Sequence, residues 1–479
     1  MKFDVAIIGA GVVGSLIARE LSRYDMNIVL LEKCNDVAMG TTKANSAIVH
    51  AGFDSTPGTL KAKFNMEGVR LMPTVCHDLG VPYKNTGSLV IAFNDSQLVT
   101  LKKLLIRGNQ NGVPELRIIG QDKLRELEPN ININAMGALW APTAAIICPY
   151  ELAIAAVENA VTNGVTFLRN FEVTRAETDE NGMQTLYSGS DTVQTKYVIN
   201  AAGVYSDKVA ALFGDKDYKI ISRKGEYFLF DKKLSGLVSH VVFQCPTKMG
   251  KGVLISPTVH GNVIVGPNAI DIDDKDDCST TARGATEILN TARHSITKLS
   301  TVDLITSFAG IRAHNEVVHD FIIETSTSNP NVIQLVGIES PGLTAAPAIA
   351  EYVRNMLMTI AGKQKKKGNY NPVRQAPVRF KELKDEERRE AIKKNNAYGK
   401  IVCRCESITE GEILDAIHSP AGAVDIDGVK RRTRAGMGRC QGGFCGSKVA
   451  EILSRELDIP LNKVTKFSGK SNILFERTK

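Results

Sequence analysis

The clearest pattern of apolar and polar positions lies at the start of the chain. Lys2–Ile8 (KFDVAII) turns continuously apolar from Val5, as a strand buried on both faces does. A glycine-rich turn follows. Between Val12 and Arg23, Leu16, Ile17 and Leu21 recur at helical spacing, which predicts an amphipathic helix. Asn27–Glu32 (NIVLLE) predicts a second strand, completing a strand–helix–strand unit of about 30 residues. Strands and helices then alternate irregularly to about residue 360, with a return strand at Tyr197–Asn200 leading into Ala201-Ala202-Gly203. From 361 to 399 the pattern changes. KQKKKGNYNPVRQAPVRF is basic and carries prolines, and KELKDEERREAIKKN reads as a charged helix with few core positions. Together they predict a connector that wraps or spans surface. A helix-like run between two cysteine pairs occupies about 400–455, followed by a strand-like LNKVTKF and a frayed end within 456–479.

Composition narrows the class. A chain of 479 residues exceeds what one compact core usually holds, so two or three domains are expected. With 43% hydrophobic and 23% charged residues it is globular, and a net charge of +7 without aromatics interleaved among basic residues argues against nucleic-acid binding. No run reaches the ~18 consecutive apolar residues of a membrane span. No charged leader precedes the first strand, so the expected location is cytoplasmic, at a membrane only through a partner. Nine cysteines, four of them clustered, do not read as a disulfide framework; most of Cys34, Cys76, Cys148, Cys245 and Cys278 are expected as small buried hydrophobes.

Two constellations carry chemistry. Gly9-x-Gly11-x-x-Gly14 allows a tight turn, close approach of backbone to a pyrophosphate and close helix–strand packing. The helix beginning near Val12 points free amides and its positive dipole end at that phosphate. Glu32, 18 residues after Gly14, ends the second strand where an acid accepts hydrogen bonds from a ribose. At the other end, Cys403-x-Cys405 and Cys440-x4-Cys445 bring four thiolates from two tight loops, with Gly436, Gly438, Gly442, Gly443 and Gly446 letting amides approach the sulfurs. An iron–sulfur cluster and a structural zinc both suit four thiolates, although zinc favours Cys-x2-Cys knuckles. A dinucleotide site with a separate cluster describes a redox protein whose electrons enter at one place and leave at another.

Several segments resemble the D-amino-acid-oxidase-like FAD superfamily. TTKANSAIVHAGFDSTPGTLKAKF (41–64) resembles its flavin-contacting loop, VINAAGVYSD (198–207) its second FAD contact and GIESPGLTAAPAIA (337–350) its last. The resemblance implies FAD as cofactor, contacted by Gly9, Gly11, Gly14, Glu32, Lys33, Thr41, Thr42, Asn45, Ser46, Val173, Ala201, Ala202, Gly203, Gly337, Gly342, Leu343 and Thr344. It implies an α/β plus α+β fold: a Rossmann-like FAD-binding domain (mainly 1–80, 150–220 and 330–360) interleaved with a mixed-sheet substrate domain (mainly 81–149 and 221–329). The module at 400–455 resembles the bacterioferritin-associated-ferredoxin-like [2Fe–2S] domain. That likeness makes Cys403, Cys405, Cys440 and Cys445 the cluster ligands and gives a small helical domain after the linker.

Within the superfamily, NSAIVHAGFDSTPGTLKA, RKGEYF (223–228), VIVGPNA and AGIRAH (309–314) resemble the L-2-hydroxyglutarate oxidase/dehydrogenase branch. RRTRAGMGRCQGGFC (431–445) resembles the tail of the anaerobic glycerol-3-phosphate dehydrogenases. The latter usually carry Gly-Gly-Lys before Leu-Thr, where this chain has Ser340-Pro341-Gly342-Leu343-Thr344, and Pro-Leu where it has Ala313-His314. The resemblances imply oxidation of a small anionic secondary alcohol, nominally glycerol 3-phosphate, with L-2-hydroxyglutarate as alternative. An amino-acid or amine dehydrogenase and a non-catalytic electron-transfer subunit remain further alternatives. A base must take the hydroxyl proton while hydride passes to the flavin. Arg312 is the candidate grip on the anion, since a guanidinium binds carboxylate or phosphate bidentately. His50 is a candidate base or flavin contact, Tyr227 a hydrogen-bond donor to substrate, and His314 and Lys224 weaker candidates. Arg431, Arg432, Arg434 and Arg439 are expected to offset thiolate charge or to dock an acidic electron-accepting partner. The glycerol-3-phosphate-type likeness also implies companion subunits, a second flavoprotein and a small Cys-rich protein.

Overall fold

The computed structural model describes residues 1–246 and 252–476; residues 247–251 of the expected substrate domain and the last three of the tail lie outside the described residues. Lys2–Ile8 is the centre of an eight-stranded sheet. It pairs in parallel with Ile28–Leu31 on one side and with Asp191–Asn200 on the other, Val5 lying opposite Ile28 and Tyr197. Val332–Val336 continues the parallel order beyond Asp191–Asn200, and Thr166–Leu168 lies outside Ile28–Leu31. The helix Val12–Leu21 packs on one face beside Pro149–Thr162 and Gly342–Ala361, closing a core around Ile7, Leu16, Ile17, Leu30, Leu152 and Val353. Phe171, Val173, Leu186 and Phe213 cover the other face.

The substrate half is a nine-stranded, mostly antiparallel sheet. Its longest pair, Ile221–Phe230 with Leu304–His314, sets Arg223 opposite Arg312 and Tyr227 opposite Phe308. Alternation along these strands sends Arg312 and Tyr227 towards the nucleotide-binding half. The C-terminal domain is a two-strand hairpin, Ile401–Cys403 with Ile408–Thr409, and three helices, Glu410–His418, Ile426–Thr433 and Gly446–Glu456, around Ile413, Val429, Val449 and Leu453. The fold expected from the sequence is the fold observed.

The connector wraps, as its composition suggested. Lys367 N donates to Arg23 O and Arg374 N to Asp78 O, while the Arg19 guanidinium donates to Pro372 O. Its charged helix, Asp385–Lys394, buries no residue. The tail departs from expectation. LNKVTKF forms no strand but a 3-10 turn, Leu461–Lys463, because only Val464 finds a core and no sheet edge is offered to the rest. Among the described residues the segment beyond it folds back on itself, Thr465 bridging to Asn472. Among the described residues no helix is long and apolar enough to cross a membrane.

Candidate active site and cluster site

A cavity of about 1830 Å³ runs between the two sheets. At its nucleotide end, Gly9 sits at φ 105°, and a Cβ there would lie 2.6 Å from Ala201 O. A Cβ on Gly14 would lie 2.0 Å from Gly9 O, so the helix can approach the strand only as glycine. The helix N-terminus is braced from a distant loop, with Val12 N donating to Thr42 Oγ1 at 2.9 Å. Glu32 accepts from Ala10 N and Cys34 N, each at 2.9 Å, which fixes its carboxylate at the strand end; burial nevertheless raises its pKa above the ordinary carboxylate value. Narrow backbone, free helix amides and a fixed acid suit an adenine dinucleotide. Gly9, Gly11, Glu32, Lys33, Thr41, Thr42, Asn45, Ser46, Val173, Ala201, Ala202 and Gly203 all line the cavity, as do Gly342 and Leu343 at the N-terminal end of the helix Gly342–Ala361.

Three residues named as contacts stand behind the wall. Gly14 sits in the first helix, and Gly337 (φ 73°) forms a turn against Asn315. Thr344 Oγ1 accepts from His50 N at 2.9 Å and donates to Ile48 O at 3.3 Å, so it holds the loop that carries His50.

Arg312 and Tyr227, on the opposite wall, and His50, on a loop tied to the helix Gly342–Ala361, line the same cavity. The Arg312 guanidinium donates to three backbone carbonyls, Arg223 O and Lys224 O at 3.3 Å and Asn268 O at 2.9 Å. The neighbouring carboxylate, Asp271, is occupied by Arg223 at 2.6 and 3.0 Å. Arg312 is thus oriented by neutral groups and keeps its full charge for an anion in the cavity. Tyr227 stacks on Phe308 with centroids 4.9 Å apart, and its hydroxyl lies 3.2 Å from Ser46 Oγ. Burial pushes its pKa up, keeping the hydroxyl protonated as a donor. His314 lies off the cavity lining, with Nδ1 3.0 Å from Glu339 Oε1. Lys224 turns away to Asp277 at 2.7 Å.

The sequence reading missed Lys61, Glu339 and His319, which also line the cavity. Lys61 Nζ lies 2.8 Å from Glu339, whose pKa burial would raise; the His314 hydrogen bond and Lys61 instead hold it at about 2. Their positions, 278 residues apart for Lys61 and Glu339, carry no local motif that could have flagged them.

In the C-terminal domain, Cys405 Sγ and Cys440 Sγ lie 3.6 Å apart. Cys403 and Cys445 are buried while Cys405 and Cys440 reach solvent, so one edge of the site is open. The neighbouring Cys445 thiol, against burial and helped by the amides of Gly436 and Glu406, holds the Cys403 thiol below its ordinary pKa; Phe444 and Gly442 amides do the same for Cys440. A Cβ on Gly438 would lie 2.3 Å from Cys405 Cβ, which keeps the two loops in contact. Four thiols served by converging amides suit an iron–sulfur cluster.

The arginines beside it do otherwise than expected. Arg431 and Arg432 are spent on Asp36 of the nucleotide-binding half, at 2.5 and 2.7 Å, and Arg434 on Glu406 at 2.9 Å, all buried. Arg431 and Arg432 dock the domain onto the nucleotide-binding half, Arg434 reaches Asn262 Oδ1 of the substrate half at 3.0 Å, and none of the three points to a partner. Only Arg439, paired with Asp231 and Asp303, lies at the surface.

Residues 4–356 match the family described as FAD dependent oxidoreductase, and residues 401–455 the BFD-like [2Fe-2S] binding domain. A glycerol 3-phosphate dehydrogenase of Caloramator mitchellensis is 51% identical over 477 residues, covering 100% of this chain and 99% of the relative. The L-alpha-glycerophosphate oxidase of Mycoplasma pneumoniae, solved with FAD bound, superposes with a TM-score of 0.76 at 32% identity, over 79% of this chain and 100% of that one. An L-2-hydroxyglutarate dehydrogenase of Nematostella vectensis is 30% identical over 56% of this chain and 62% of its own. The glycine cradle, the fixed acid and the converging thiols therefore have their place: the chain belongs to the FAD-dependent oxidoreductases and ends in a BFD-like [2Fe–2S] domain.

Proposed function

We propose that the protein oxidises glycerol 3-phosphate to dihydroxyacetone phosphate and passes the electrons through its C-terminal domain to a protein acceptor. The observation that carries this reading is Arg312, a cation oriented by three carbonyls and facing the cavity, in a chain 51% identical along its whole length to a glycerol 3-phosphate dehydrogenase. When bound, FAD accepts hydride and the [2Fe–2S] cluster hands electrons on singly. Arg312 grips the phosphate, and the protonated Tyr227 hydroxyl donates to a substrate oxygen. His50, held through its backbone by Thr344, takes the hydroxyl proton as hydride leaves the adjacent carbon. The absent Gly-Gly-Lys counts less than the full-length likeness, because one well-placed guanidinium already supplies a bidentate grip.

L-2-Hydroxyglutarate is the second reading, favoured by the likeness of the catalytic half to its dehydrogenases. Both acids would be held by the same arginine. Anaerobic stopped-flow mixing with each compound decides: rapid bleaching of flavin absorbance by glycerol 3-phosphate is expected, and bleaching by L-2-hydroxyglutarate alone overturns the first reading. The open edge at Cys405 and Cys440 supports a protein acceptor or companion subunits meeting the domain there.

A further inference from the structure

The cavity that begins at Gly9 has one wall made by the far end of the chain. Asp427 and the turn Phe467–Ser471 line it together with the glycine-rich loop. The turn is a built element. Lys466 N donates to Ser471 O and Phe467 N to Ser471 Oγ, both at 2.8 Å. Ser468 and Gly469, inside the four-residue loop closed by the Lys466–Ser471 bond, adopt left-handed φ of 46° and 54°. Its base is fastened to the helix Ile426–Thr433: Asp427 N donates to Lys466 O at 2.9 Å, and Ser468 N to Asp425 Oδ2 at 3.0 Å. That same Asp425 oxygen accepts from Asn35 Nδ2 at 2.8 Å, three residues beyond Glu32.

A short line of contacts leads from this turn to the phosphate cradle. Asp427 acts electrostatically on the Lys43 ammonium, and Lys43 follows Thr42, whose hydroxyl accepts from Val12 N. A diphosphate carries two negative charges, whereas one helix N-terminus offers roughly half a positive charge. Further cations are needed, and Lys33, Lys43 and Lys470 all line the cavity. Lys43 is a reluctant one, since burial and the neighbouring Arg431 both disfavour its charge. Lys470 is exposed at the mouth and can carry its charge at no desolvation cost.

We propose that the turn at 467–471 is a further FAD-binding site, the outer wall of the cofactor cavity, with Lys470 the cation it turns towards the diphosphate. The C-terminal domain is then part of the flavin site as well as the route out of it. Its helices hold the hairpin, and the hairpin slows cofactor release.

The test uses the full-length holoenzyme, Lys470→Glu, Lys470→Arg, and a chain ending after Lys466, which loses the Ser468 bond but keeps the bonds of Ile426 N to Thr465 O and Asp427 N to Lys466 O. FAD release after dilution is followed by the recovery of free-flavin fluorescence, at low and high salt. The electron paramagnetic resonance signal of the dithionite-reduced cluster reports whether the domain stays intact. The expected result is release about tenfold faster in Lys470→Glu at low salt, converging on wild type as salt screens the charge. Lys470→Arg should match wild type, the shortened chain should release faster still, and the cluster signal should be unchanged. Release within about twofold of wild type in both Lys470→Glu and the shortened chain overturns the proposal, because a charge and a wall at the diphosphate must each retard an anion.

Discussion

Arg312 and the pair Arg431–Arg432 are guanidinium groups held by opposite means. Arg312 rests on three carbonyl oxygens, so orientation costs it no charge, and an incoming anion meets an intact cation. Arg431 and Arg432 share one buried carboxylate, Asp36, with Asp425 4.0 Å from Arg431, and join two domains. The difference shows that a basic residue beside a functional centre gains its role from its partner. Neutral oxygens make it a receptor; a buried carboxylate makes it a rivet.

Asp36→Asn should have the largest effect, because it leaves two buried guanidinium groups without their anion. A cost of roughly 3–5 kcal/mol is expected, seen in calorimetry as a separate, lower-temperature transition of the C-terminal domain. The same pair sets an acid limit. Burial would raise the Asp36 pKa, but Arg432 and Arg431 overcome it and hold the carboxyl well below the usual range. A depressed folded pKa contributes stability above the unfolded value near 3.9, lost as pH falls through the folded value. Domain docking should therefore hold at neutral pH and weaken below about pH 4, with a flatter acid limb in Asp36→Asn.

Arg312→Ala should come next. Losing a charge-assisted bidentate grip is worth about 2–3 kcal/mol, a rise in KM of about 30- to 160-fold with flavin content unchanged. An unchanged KM would mean that the carbonyl-held arginine is structural after all, and the contrast would collapse. Tyr227→Phe removes one hydroxyl donor while keeping the stack on Phe308, so kcat should fall by less than about tenfold. Arg439→Ala should change least. Its two ion pairs lie in solvent, so thermal stability should stay at the wild-type value, and any loss would appear only in the salt dependence of electron delivery to an acceptor protein.

Some of this was legible in the linear text. The Lys2–Ile8 strand, the Val12 helix, Glu32 and the four clustered cysteines are short-range patterns, in which spacing implies geometry. The placement of Arg312, Tyr227 and His50 on one cavity was suggested only through resemblance, because three separate strands and loops must meet to create it. Lys61 and Glu339, which pair with each other and with His314, had no signal at all. Arg431, Arg432 and Arg434 were read as available charge because a basic run looks the same whether its partners are solvent or Asp36 and Glu406. LNKVTKF had strand-like residues but no neighbouring edge, and backbone pairing is not a property a segment has alone.

The sequence by itself determined the dinucleotide fold and the pairing of four clustered cysteines in two short motifs, since each rests on periodicity or on spacings of a few residues. Tertiary structure alone decided which charges are spent and which are kept, and it brought the turn at 467–471 onto the cavity that starts at Gly9. The physical reason is that electrostatic roles depend on desolvation and on partners hundreds of residues away, and both are fixed only when the chain closes on itself.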